Sequence, residues 1–326
     1  MAFILCFILA WKKIVNITGN KRLHMKNLFI IGNGFDLYHN FKTSYKDFYD
    51  YLKNNIELFT KTCSVFLDQF NRKDQLWSDF EGEISAFDFE AFIPDYIKQE
   101  NGFFVFDNFE NIGKEVLKWK KELDFAFKNW ITEATQNTIK TNKFFRSQDL
   151  FLNFNYSTTL TSLYGVNKDR ILYIHNNIND ANLIFGHDYE YDIDKGKDYY
   201  GINATDLENE YYESVRDFKL ICYIGTLLKK DVLQNIERHR EFKNQIMDIN
   251  TVIVLGHSFG KPDIPYFQWI KSCIPAQTKW VISYYGNPHE HDLKLKEIGI
   301  NCFELYTISE IMDKYLTNVQ ERPFNK

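Results

Sequence analysis

The sequence predicts a three-layer α/β fold, a parallel β-sheet with helices on both faces, carrying a large helical insertion after its first strand. Short apolar runs ending in Gly, Asn or His recur along the chain, and helical patterns alternate with most of them. That alternation builds a parallel sheet between two helical layers. Gly (15) and Pro (6) are scarce among 326 residues, whereas an all-β sandwich or barrel needs a tight turn every few residues. Phe (30) and Tyr (20) are abundant, which suits long helices with aromatic contact faces. With 44% apolar and 25% charged residues, the composition is that of a globular protein with a substantial core.

In chain order, the first strand is Leu28-Phe-Ile-Ile31, entering a tight loop at Gly32-Asn33-Gly34. Thr43 or Ser44 can cap the next helix, with Asp47 in its first turn. From about 44 to 146 the pattern reads as helical. Phe48, Leu52, Ile56 and Phe59 share one face, as do Ile112, Val116, Trp119, Leu123 and Phe127. Further strands are expected at Leu150–Phe154, Ile171–Ile174, Leu183–Phe185, Thr251–Leu255 and Lys279–Ser283, with helices over 157–164, 207–246, 263–272 and 289–297. The polar stretch 187–206 reads as a surface loop. No linker composition divides the chain, so 25–326 is read as one domain.

Residues 1–24 are set apart. MAFILCFILAW is followed by Lys12 and Lys13; it is shorter than the roughly 20 residues that span a bilayer and lacks the features of a signal peptide. Met25 directly precedes the first strand, so 1–24 is read as a non-native or flexible extension and no membrane association is expected. The formal charge of −5 gives no strong attraction to nucleic acid. Cys6, Cys63, Cys222, Cys273 and Cys302 form no C-x-x-C pair, so neither a disulfide framework nor a zinc ribbon is expected, and the thiols fit a reducing cytoplasm.

In open parallel sheets ligands bind beyond the carboxyl ends of the strands, where this sequence concentrates its polar groups. They are Gly32-Asn33-Gly34-Phe35-Asp36, then Asn155-Tyr156-Ser157-Thr158-Thr159, His175-Asn176-Asn177, Gly186-His187-Asp188, and Gly256-His257-Ser258-Phe259-Gly260 with Asp263. Five such ends in succession predict one shared site. Gly32-Asn33-Gly34 lets a backbone approach phosphate closely, or simply makes a tight turn; Leu37 breaks the full G-x-G-x-x-G pattern. Asp36 can accept from a ribose hydroxyl or cap a turn. Gly256-His-Ser-Phe-Gly260 matches the G-x-S-x-G elbow of serine hydrolases, but the only acid-then-histidine order after Ser258 is Glu290-His291, adjacent in sequence. His175, His187 and His257 each follow a strand without close spacing, so no metal is assigned. Trp77-Ser78-Asp79-Phe80-Glu81 is either a helix start or a source of site carboxylates. Lys229-Lys230-Asp231 is read as a solvated helix face from which Lys230 can reach a phosphate.

Met25-Lys-Asn-Leu-Phe-Ile-Ile-Gly-Asn-Gly-Phe-Asp36 and Thr43-Ser-Tyr-Lys-Asp-Phe48 resemble the start of the AbiH family of bacteriophage abortive-infection proteins. So do Trp77-Ser-Asp79 with Glu81, Asn153-Phe-Asn-Tyr156 with Thr158-Thr159, Ile184-Phe-Gly-His-Asp188, and Leu255-Gly-His-Ser-Phe-Gly260 with Asp263 and Tyr266-Phe267. That family in turn resembles sirtuin-like, Rossmann-like NAD-binding domains. The second resemblance implies phosphate binding at Gly32 and Gly34, work at the nicotinamide ribose by Asn155 and His175, and adenosine contacts at Gly256 and Ser258. Ser157 replaces the Asp of the sirtuin pattern and Asn176 its Gly, and the zinc-binding cysteines are missing; protein deacetylation is therefore not implied.

Three functions follow as expectations. The first is a phage-defence protein that hydrolyses NAD, with Asn155 and His175 catalytic and Gly32, Asn33, Gly34, Asp36, Tyr156, His187, Gly256, His257, Ser258 and Asp263 binding the nucleotide. The second is a sensor of NAD or ADP-ribose without turnover. The third is a hydrolase using Ser258. A nucleotide and a phage-derived trigger are the expected partners, and the aromatic helices leave a homo-oligomer open.

Overall fold

The computed structural model describes residues 26–59, 109–136, 141–187 and 226–318. The N-terminal extension, the Trp77–Glu81 acids, the stretch 188–206 and the first part of the 207–246 helix lie outside them.

A parallel sheet of six strands forms the middle layer: β1 (Asn27–Ile31), β3 (Leu150–Asn153), β4 (Ile171–Tyr173), β5 (Thr251–Leu255), β6 (Lys279–Ser283) and β7 (Phe303–Tyr306). Their spatial order is β4-β3-β1-β5-β6-β7, that of a doubly wound sheet, with the reversal point between β1 and β5. Ile31 lies beside Leu255 there and beside Asn153 on the other flank. A short antiparallel pair, β2 (Lys143–Phe144) with β8 (Thr317–Asn318), stands apart.

Side-chain alternation sorts the strand residues into two cores, one per face. Leu28, Ile30, Leu152, Val252, Val254 and Ile282 pack with helices α5 (Val232–Arg238), α6 (Phe242–Ile246), α7 (Ile264–Cys273) and α8 (Pro288–Ile298). Phe29, Ile31, Phe151, Ile253, Leu255 and Val281 pack against α1 (Asn33–Tyr38), α4 (Thr159–Ser162) and α9 (Ile308–Tyr315). The expected three layers are therefore present. The helical insertion contributes α2 (Tyr45–Lys53) and the long α3 (Phe109–Ala134), which meet through Phe48, Phe127 and Trp130, with ring centroids about 5 Å apart.

Several expectations are corrected. Leu183–Phe185 is not a strand: Leu183 N–H donates to Asp124 and Ile184 N–H to the His175 carbonyl, so these amides serve a helix side chain and a loop. Ile56 does not continue the face of α2. The helix ends at Lys53, the Asn55 side chain caps a new turn, and Ile56 is 79% exposed. The insertion closes on β2, a strand, and the described end of 207–246 is two short helices. β7 was not expected. It is an edge strand with Glu304 at its centre, paired to Lys279 of β6 at 2.5 Å, and such a charge hides the apolar alternation while guarding a sheet edge.

Candidate functional site

The site begins where the order reverses. The loop after β1 and the loop after β5 leave adjacent strand ends, and three glycines let their backbones touch. Gly32 N–H donates to the Leu255 carbonyl and Gly34 N–H to that of Gly256, at 2.9 and 2.7 Å. Gly256 N–H donates to Ser283 Oγ at 2.7 Å. A Cβ on Gly34 would sit 2.7 Å from Gly256 Cα. One on Gly256, at φ +67°, would sit 2.2 Å from Phe35 N. The glycines thus serve loop-to-loop contact, and the amides of Gly32 and Gly34 are already committed.

Beyond these loops opens a cavity of about 1070 Å³, at the upper end of the roughly 300–1,000 Å³ of small-molecule pockets. All six strands of the sheet deliver residues to it: Gly32 to Gly34 and Asp36 after β1, Phe154 to Tyr156 after β3, His175 after β4, Gly256 to Ser258 after β5, Ser283 at the end of β6 with Tyr284 to Gly286 after it, and Thr307 to Ser309 after β7. The insertion closes another side with Thr43, Ser44, Tyr45, Phe127, Trp130 and Ile131.

Asp36 is buried, and its carboxylate accepts from the hydroxyls of Ser157 and Thr159 at 2.5 and 2.6 Å. Burial raises its pKa to about 6 against the lowering by those hydroxyls and by Asn155. Asn155 Nδ2 also donates to the Gly32 carbonyl at 3.1 Å, fixing the second loop on the first. Tyr156 lies nearly parallel to His175, centroids 5.8 Å apart.

Three titratable groups at the cavity floor meet a fourth, Lys230, buried behind them. Asp263 lies 3.7 Å from His175 Nε2, 3.4 Å from His257 Nε2 and 3.5 Å from Lys230 Nζ. Burial, with the Lys230 ammonium beside it, lowers His175 to about 3 and keeps it a neutral imidazole. For Asp263, burial opposes ionisation but is outweighed by Lys230 and the histidines, so it is held well below the usual carboxylate range. His257 Nδ1 accepts from Phe259 N–H at 2.9 Å, which turns Nε2 toward Asp263.

Of the twelve residues singled out in the sequence, eleven line this one cavity. The exception, His187, is fully buried and lies elsewhere; its carbonyl accepts from Lys230 N–H at 2.7 Å. Lys230 does not lie on a solvated face: it is 1% exposed. Its position against Asp263 depends on a tertiary contact that no local pattern announces. The rim residues Ser283 to Gly286 and the aromatic wall Tyr45, Phe127 and Trp130 were also missed. The wall shared the helical spacing of ordinary core residues, whereas the rim followed an expected strand end and was legible there.

Among the described residues no group of three or more His, Cys, Asp or Glu is arranged to hold a metal ion, and no helix is long and apolar enough to cross a membrane. The fold and site define a doubly wound α/β protein with a crevice at its reversal point. The chain belongs to the bacteriophage abortive infection AbiH family, whose family model matches residues 28–284. Neither the curated proteins nor the solved structures include a match to it. Family membership supports a role in abortive infection.

Proposed function

We propose that the crevice binds a nicotinamide dinucleotide and that the protein hydrolyses its nicotinamide–ribose bond, depleting NAD and arresting the growth of infected cells. The observation that carries this reading is the arrival of all six strand ends at one cavity beside the β1/β5 reversal point. In this reaction the C1′–N1 bond breaks with its electron pair passing to the ring, so nicotinamide leaves neutral without protonation. Water adds to the oxocarbenium-like C1′ and its proton passes to solvent. The chemistry therefore asks for negative charge near C1′ and groups that hold ribose and water. Asp263 supplies the charge. The Oδ1 of Asn155 accepts from ribose or water, and neutral His175 orients the same groups instead of acting as a strong base. With Gly32 and Gly34 committed, the phosphate-facing amide of the first loop is that of Asn33, and Tyr156 and Trp130 offer rings for stacking.

Purified protein, assayed both with and without a phage trigger, should release nicotinamide from NAD in at least the triggered arm, and Asn155→Ala or His175→Ala should slow release by about 100-fold or more. Unchanged NAD with intact phage protection in both variants would end the hydrolase reading.

A second reading, a nucleotide sensor without turnover, draws on the same pKa directions: neither His175 nor Asp263 is poised as a base near neutrality. Calorimetry showing NAD or ADP-ribose binding without product would select it. The Ser258 hydrolase is disfavoured. Ser258 is exposed, no histidine among the described residues is hydrogen-bonded to its hydroxyl, and the left-handed φ lies at Gly256 and Phe259 instead. Fluorophosphonate should leave Ser258 unlabelled, while labelling of Ser258 together with loss of protection in Ser258→Ala would restore that reading.

A further inference from the structure

We propose that Lys230 and Asp263 form an oriented ion pair whose negative end faces the cavity, so that the site selects a ligand cationic at that point, the oxidised and not the reduced form of a nicotinamide nucleotide. Lys230 is the positioning residue of the pair. This inference rests on the nucleotide-binding reading above.

The geometry gives the pair its direction. The Lys230 side chain is 0% exposed and that of Asp263 is 19% exposed, and Asp263 lines the cavity while Lys230 does not. Their charged atoms are 3.5 Å apart, so a ligand in the cavity is nearer the carboxylate than the ammonium. No Lys or Arg stands among the described lining residues to offset that field. The pair is also held still: Lys230 N–H donates to the His187 carbonyl, and the second oxygen of Asp263 faces His257 Nε2 at 3.4 Å. Oxidised and reduced nicotinamide rings have nearly the same shape and differ by one positive charge, so their relative affinity reads this field.

Burial does most to keep His175 neutral, and the Lys230 ammonium adds to it. His175 is faced by Lys230 Nζ at 3.4 Å, by Asp263, by His257, and by the Tyr156 ring. While the ammonium stands beside it, the imidazole stays neutral and the carboxylate keeps its charge. Without the ammonium, His175 takes up a proton more readily as pH falls, and that proton offsets Asp263.

Calorimetric titration of the full chain with the hydrolysis-resistant carbocyclic-ribose analogues of NAD and NADH, at about pH 6 and about pH 8, tests this. The unaltered protein should bind the NAD analogue about tenfold tighter than the NADH analogue at both pH values, the size of effect expected of one charge near a partly exposed partner. Asp263→Asn should bring the ratio near one. Lys230→Met should narrow the preference more at the lower pH than at the higher one, a dependence that a merely structural lysine would not create. Lys230→Met combined with Asp263→Asn removes both charges and should recover a melting temperature lost in Lys230→Met alone. Equal, measurable binding of both forms by the unaltered protein overturns the inference and leaves the nucleotide reading standing. So does a preference that survives Asp263→Asn. Binding of neither form overturns both, and the unaltered protein decides these outcomes even if a variant fails to fold.

Discussion

Gly256→Ala is expected to destabilise the protein severely. Two costs act on it together. The residue sits at φ +67°, where an L side chain strains the backbone, and its Cβ would lie 2.2 Å from Phe35 N and 2.3 Å from the Gly34 carbonyl carbon. These are backbone atoms of the facing loop and cannot rotate away. Relief means separating the two loops, which breaks the Gly34 N–H bond to the Gly256 carbonyl and opens the crevice at its base. Strain and overpacking sum to about 3–5 kcal/mol. Urea unfolding should show that loss at the transition midpoint, and phage protection should vanish. Gly286→Ala is the control: it has a similar φ of +74° but nothing within 4 Å of its Cβ, so it carries the backbone strain alone, about 1 kcal/mol. Equal costs at the two positions would contradict the loop-contact account.

Asp36→Asn is expected to stabilise the protein near neutral pH. Burial raises the Asp36 carboxyl to about 6 from 3.8, against hydrogen bonds that lower it. A folded-state pKa above the unfolded value means that the folded form prefers the proton. The contribution of Asp36 to stability is thus present in full below pH 3.8 and is lost as pH rises through about 6. The displacement corresponds to about 3 kcal/mol. Asn is neutral at every pH, and its Oδ1 still accepts from one of the Ser157 and Thr159 hydroxyls. Denaturant unfolding should therefore show Asp36→Asn gaining on the unaltered protein by up to about 3 kcal/mol between about pH 4 and pH 7.5. A difference that does not grow across that range would place the burial cost elsewhere. Greater stability with weaker nucleotide binding would mark Asp36 as a residue kept for function.

The sheet was legible because its strands are continuous apolar runs with both faces buried. Leu28–Ile31 and Val252–Leu255 carry no polar residue, and each ends in glycine. Leu183-Ile-Phe185 has the same composition, yet its backbone bonds to Asp124 and His175; a short apolar run records burial, not hydrogen-bond partners. β7 erred the other way, since Glu304 belongs to an ion pair across strands that sequence spacing cannot show. In the site, residues just after strands were legible because the topology sends every strand end to one edge. Asp36 was read as a partner for a ribose hydroxyl or as a turn cap, and its bonds to Ser157 and Thr159 join segments 121 and 123 residues away, which no local pattern shows. Lys230 was misread because an isolated lysine pair looks like any solvated surface, and only the approach of Asp263 shows it to be internal.

The most direct measurement of the central claim is photo-crosslinking with an azido-adenine analogue of NAD, followed by peptide mapping. A single crevice at the β1/β5 reversal predicts labelled peptides from its rim, Ser283 to Gly286 or Thr43 to Tyr45, with labelling suppressed by excess NAD and absent in Gly256→Ala. Labelling that excess NAD competes away but that maps to peptides remote from the cavity would contradict the account.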